Sequence, residues 1–125
     1  MAPDQMWHVA HWDALTLLRV LCGIWFAPHA LGKARNVERA SQTFAKAGLR
    51  PARLFVVLTI CLEVLAGAGL VLGFQARFAA SLAVVVLLGA AYAVIRINGW
   101  NWRWQKQGPE YMIFWAAACV IAVSG

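Results

Sequence analysis

The sequence predicts an all-α fold: a four-transmembrane-helix antiparallel bundle, one domain, with a short amphipathic interfacial helix between spans one and two. Three observations carry this. The 125 residues are 62% hydrophobic and only 13% charged, where a soluble domain carries roughly a quarter charged residues. Four apolar runs cover about residues 14–31, 54–74, 78–95 and 109–124. Lys and Arg are sorted between the connections, crowding into two of them and nearly absent from the rest.

A hydrocarbon core of ~30 Å takes about 20 helical residues, with a range of roughly 17–25. The first three runs qualify. The fourth is short and draws Pro109 and Glu110 into its first turn, where proline has no intrahelical N–H bond to lose. All four are continuous rather than alternating, which excludes membrane strands. No Lys or Arg precedes the first run, so it is expected to be a retained span and not a cleaved signal. Between spans one and two, Val37, Ala40, Phe44 and Ala47 recur at helical spacing, and Gly48 and Pro51 punctuate the end. That segment reads as a helix lying on the membrane surface. Only "QAR" separates spans two and three, which requires a hairpin.

Lys33, Arg35, Arg39, Lys46, Arg50 and Arg53 lie in the first connection, and Arg96, Arg103 and Lys106 in the third; Arg77 alone lies on the other side. Such sorting marks the cytoplasmic side. Both termini are then expected outside the bacterial cytoplasmic (inner) membrane. Trp7 and Trp12 suit one interface, and Trp100, Trp102 and Trp104 the other. The basic balance of +6 follows this sorting, so it argues for the lipid bilayer as partner and against nucleic acid.

Arg19, Cys22, Phe26, His29 and Lys33 are spaced three and four apart, which places them on one helix face. A charge at mid-bilayer costs ~2.5–3.5 kcal/mol or more, so this face should point into the bundle and find a partner. Glu63 lies about 13 Å into span two, and Arg19 roughly 7–8 Å into span one, at 1.5 Å per residue. These depths suggest an Arg19–Glu63 pair. Two readings stay open for the stripe: ion pairing and snorkelling, or a functional pocket that also draws on Glu110 and Asn98 at the level of His29 and Lys33. Trp100 has two readings as well, lying flat at the interface or capping the bundle mouth over a flat ring.

Cys22, Cys61 and Cys119 sit in apolar runs, none in a CxxC, and read as small buried apolar groups. Gly69 with Gly73, beside Ala66 and Gly67, and Gly89 with Ala93 read as helix-packing positions. His8, His11 and Asp13 lack a scaffold that would make them ligands, and no metal is assigned.

"LLRVLCGIWFAPHALGK" resembles the first helix of the DoxX family, with Arg19, Gly23, Phe26, His29 and Lys33 in place and Ala30 where the family usually has Gly. "LEVLAGAGLVLGFQARFAA" is similar to its second motif, matched by Glu63, Gly67, Gly73, Arg77 and Ala80. "NGW" followed by "GPEYMIF" resembles its last loop and helix through Asn98, Gly99 and Glu110. The resemblance spans residues 15–124. It implies a four-helix membrane protein, with relatives that serve quinone-linked sulfur oxidoreductases, quinone and catechol detoxification, or membrane oxidoreductase complexes. The paired cysteines of distant thiol-redox four-helix proteins have no counterpart in this sequence.

The first functional expectation is redox. A quinone-like ring would bind between helices, with His29 and Glu63 handling protons as catalytic groups. Arg19, Lys33, Asn98, Trp100 and Glu110 would bind the substrate. The chain shows no haem, iron–sulfur or flavin motif, so electrons would come from membrane or soluble redox subunits. The second expectation is a non-catalytic anchor or assembly subunit of a larger complex. The third is a small-solute transporter, for which the sequence offers no broken-helix pair or inverted repeat.

Overall fold

The computed structural model describes residues 13–124. Trp7, Trp12, His8 and His11 lie outside them. All regular structure among the described residues is helical: α1 (Ala14–Ile24), α2 (Phe26–Arg35), α3 (Val37–Lys46), α4 (Ala52–Leu72), α5 (Ala76–Asn98), a 3₁₀ turn (Trp104–Lys106) and α6 (Glu110–Ala122). Three stretches are long and apolar enough to cross a bilayer: Ala14–Arg35, Ala52–Leu72 and Ala76–Asn98. α6 has 13 residues. At 1.5 Å per residue it rises only about 20 Å, less than a hydrocarbon core of ~30 Å.

The first span is not one uninterrupted helix. Asp13 caps α1, accepting from the Thr16 N–H at 2.8 Å. α1 stops at Ile24, and α2 resumes at Phe26. Pro28 explains the break. It lacks an N–H, and its ring crowds the carbonyl four residues earlier, that of Ile24.

α3 forms where the apolar spacing predicts it. Asn36 accepts from the Arg39 N–H at 3.1 Å, Glu38 sits in the first turn and Lys46 in the last; each suits the helix dipole. Val37, Ala40 and Phe44 are half-buried and Ala47 is buried, while Glu38, Arg39 and Lys46 are exposed. α3 packs against α4.

α4 is the central element, in contact with α1, α2, α3 and α5; α5 and α1 also pack on α6. The core is dominated by small residues, among them Ala66, Ala79, Ala80, Ala83 and Ala116, around Phe26, Leu70 and Trp115. In lipid, helix association rests on close van der Waals contact, which small residues permit. α1 and α4 touch through Gly23 and Gly67: a Cβ on Gly23 would lie 2.7 Å from the Gly67 carbonyl oxygen. Gly69 similarly accommodates Ala79. Gly73 ends α4 in the left-handed region, φ 70°, and starts the tight turn into α5. Cys22 and Cys119 are buried as expected, but Cys61 is exposed on an outer face of α4. Gly89 departs from its packing expectation, since nothing lies within 4 Å of a Cβ placed there.

Candidate functional site

The space beside Gly89 is a cavity of about 370 Å³ lined by residues of α2 to α6 and open on one side, where Leu58, Val85, Gly89 and Tyr92 are exposed. Its walls are almost wholly apolar, with Phe26, Phe44, Phe55, Ala90, Ala93 and Met112 among them. His29, Lys33 and Glu63 add polar groups to this lining, joined by Tyr111 and Trp115 from α6.

Lys33 Nζ donates to Glu63 Oε1 at 2.6 Å and to the His29 carbonyl at 3.3 Å. Lys33 points back along α2, as helical side chains do, and so reaches a carboxylate on α4. Glu63 is 2% exposed, and burial of that depth requires a counter-charge. Its Oε2 has no hydrogen-bond partner among the described residues. The His29 imidazole likewise makes none. It is held by aromatic contacts instead, 5.2 Å from the Trp115 ring centroid and 6.4 Å from that of Tyr111. Two hydroxyls in the wall are committed: that of Thr59 donates to the Phe55 carbonyl at 2.7 Å and that of Thr43 to the Arg39 carbonyl at 3.3 Å. The polar groups of this lining without a hydrogen bond among the described residues are therefore a Glu63 carboxylate oxygen and the His29 imidazole, on the neighbouring helices α4 and α2, together with the Tyr92 and Tyr111 hydroxyls. The carboxylate and the imidazole can each take or give a proton.

Arg19 does not pair with Glu63. The Gly23–Gly67 contact sets the antiparallel register of α1 and α4, and in that register Arg19 lies over Gly73. Arg19 is ten residues from His29, about 15 Å along a helix axis, and it does not line the cavity. Asn98, Trp100 and Glu110 are also outside it. The Asn98 amide donates to the Gln107 carbonyl at 3.3 Å and so ties the end of α5 to the following loop. Trp100 is 69% exposed, with its ring 6.1 Å from that of Trp102. Glu110 has both carboxylate oxygens buried without partners among the described residues, beside Gly108 and Asn101.

Trp115 is the site residue that sequence reasoning missed. Its indole N–H donates to the Cys22 carbonyl at 3.3 Å, one of the last carbonyls of α1, which a helix end leaves short of partners. Its ring also lies 4.4 Å from Phe26. A usable signal was the spacing of Tyr111 and Trp115, which puts two aromatic rings on one face of α6. Trp115→Phe keeps most of the ring and loses the donor. It is expected to lower stability by about 1 kcal/mol, measured by thermal unfolding in mild detergent, whereas Trp115→Ala should cost about 3–5 kcal/mol.

Three helical stretches long and apolar enough to cross a bilayer mark the chain as an integral membrane protein. The DoxX family model matches residues 14–96, and the chain belongs to the DoxX family. No curated protein and no solved structure gives a significant match.

Proposed function

We propose that the cavity takes a quinone-like ring and that the chain serves as a subunit or accessory of a membrane oxidoreductase system. The carrying observation is that an uncommitted imidazole, His29, and an uncommitted carboxylate oxygen of Glu63 belong to the lining of one largely apolar cavity. A volume of about 370 Å³ is within the range of roughly 300–1,000 Å³ usual for small-molecule sites. Reducing a quinone consumes two electrons and two protons. His29 and Glu63 hold and pass protons at the ring oxygens, Lys33 offsets negative charge there, and a partner subunit supplies the electrons. Arg19, Asn98, Trp100 and Glu110 take no part in this pocket.

The same reading makes α6 the fourth helix of the bundle and lays α3 along the cytoplasmic interface. Sorting of Lys and Arg into two connections supports both termini outside the bacterial inner membrane. The amphipathic face of α3 supports its placement.

His29→Asn and Glu63→Gln should each lower quinone-dependent turnover of membranes by tenfold or more, since general acid–base groups contribute about 10²–10⁴-fold. Full turnover in both variants, with the protein intact, removes the proton-handling role. Gly89→Leu tests the cavity itself. It fills space that is empty, and leucine is the better helix former by nearly 1 kcal/mol. Calorimetric titration with decylubiquinone in detergent should show binding weakened at least tenfold and the melting temperature maintained.

A second reading, a non-catalytic membrane anchor, is supported by the loop after α5. Trp100, Trp102 and Trp104 are 69%, 57% and 73% exposed, an apolar surface suited to a partner as well as to headgroups. Affinity purification in mild detergent separates the two. Stoichiometric partners on a chain that fails to bind decylubiquinone favour the anchor.

A further inference from the structure

The two arginines outside the basic connections, Arg19 and Arg77, line one crevice at the end of the molecule away from the cavity. Arg19 lies across Gly73: a Cβ there would come 2.5 Å from Nη1 and 3.0 Å from Cζ. Its Nε is buried and has no hydrogen-bond partner among the described residues. No carboxylate among the described residues pairs with its guanidinium. Beside it opens a crevice of about 400 Å³, lined by Arg19, Gln75, Ala76, Arg77, Ala122 and Val123. Among the described residues, two cations and an amide line it, and no acid does.

The start of α5 adds positive potential. Gln75 occupies the N-cap without a side-chain hydrogen bond, and the first turn contains no acidic residue. Arg77 sits in that turn instead, where the helix dipole disfavours a cation. The first capping bond runs from the Ala79 N–H to the Gln75 carbonyl, so the preceding N–H groups are open, as they are at an uncapped helix start. An unpaired guanidinium, a misplaced arginine and an open helix N-terminus repel one another. A shared anion turns all three into favourable contacts.

We infer that Arg19, Arg77 and the N-terminus of α5 bind a phosphate group. The guanidinium forks suit its oxygens bidentately. Such a group reaches a membrane protein either as a phospholipid headgroup or as a free phosphate. This site shares no residue with the cavity and stands independently of the quinone reading.

The test uses full-length protein freed of lipid in dodecyl maltoside, with Arg77→Gln and Arg19→Gln beside the wild type. Arg77 is exposed, so Arg77→Gln should fold normally even if Arg19→Gln does not. Dioleoyl phosphatidylglycerol is titrated by native mass spectrometry, and inorganic phosphate by thermal unfolding. Arg39→Gln, at the opposite basic face, controls for general attraction of anionic lipid. The expected result is one tightly held phosphatidylglycerol that Arg77→Gln weakens about tenfold and Arg39→Gln does not. If lipid binding is the same in wild type and Arg77→Gln, but millimolar phosphate raises the melting temperature of the wild type alone, the site is for a free anion. If neither probe distinguishes wild type from Arg77→Gln, the site does not exist.

Discussion

Lys33→Ala should destabilise the protein by about 3–5 kcal/mol, the usual result of removing one partner from a buried ion pair. The effect comes from what remains. Glu63 is 2% exposed, and its only ion-pair partner among the described residues is Lys33. The side chain is held in a helix against an apolar cavity, so it has no route to water when the ammonium is gone. The reverse change should be milder. Lys33 is 23% exposed at its side chain, near the end of α2. In Glu63→Gln its long stem can carry the charge toward headgroups, and the amide still accepts a hydrogen bond. A loss near 1 kcal/mol is expected. Replacing both, as Lys33→Met with Glu63→Leu, should recover most of the stability, since apolar isosteres of buried pairs are often neutral or better. Unfolding in mixed micelles with rising denaturing detergent measures all three. Equal losses in the two single variants would mean that Glu63 reaches solvent in lipid.

The elements were legible because each has a local cause. Long apolar runs gave α4 and α5 within a few residues, the two-sided spacing from Val37 to Ala47 gave α3, and "QAR" gave the turn between spans two and three. The break at Trp25 was legible too, in Pro28, but the hydropathy of the whole run hid it. The site was half legible. Spacing on one face singled out His29 and Lys33, and isolation in an apolar run singled out Glu63. Which cation pairs with Glu63 was not readable from depth, because depth estimates assume where each helix meets the interface. The register is set by the Gly23–Gly67 contact, a tertiary event. Trp115 was missed for a related reason, since its hydrogen bond reaches a carbonyl 93 residues away. Gly89 shows the limit of composition. A small residue reads the same whether it admits a neighbouring helix or borders open space, as Gly89 does.

Gly23→Val tests that register and should cost at least about 3 kcal/mol, the upper part of the range for overpacking. A Cβ at Gly23 would stand 2.7 Å from the Gly67 carbonyl oxygen, 2.8 Å from Val71 Cγ2 and 3.0 Å from Leu70 Cβ. The first of these atoms is backbone in the middle of α4 and cannot turn aside, so the helices must separate. Gly67→Ala should be cheaper, because its Cβ would meet the Gly23 oxygen at 3.0 Å and Phe26 Cβ at 3.3 Å, distances that a shift of a few tenths of an ångström relieves. Separation at Gly23 acts on the ion pair as well. Glu63 lies one helical turn from Gly67 on α4, so a wedge there pulls the carboxylate away from Lys33, which it now meets at 2.6 Å. The two perturbations should therefore be coupled rather than additive. In a Gly23→Val background, Lys33→Ala should cost less than about 1 kcal/mol, because the pair has already been weakened and water admitted. Full additivity would mean that the Lys33–Glu63 pair holds without the glycine contact, and that something other than Gly23 and Gly67 fixes how α1 and α2 slide along α4.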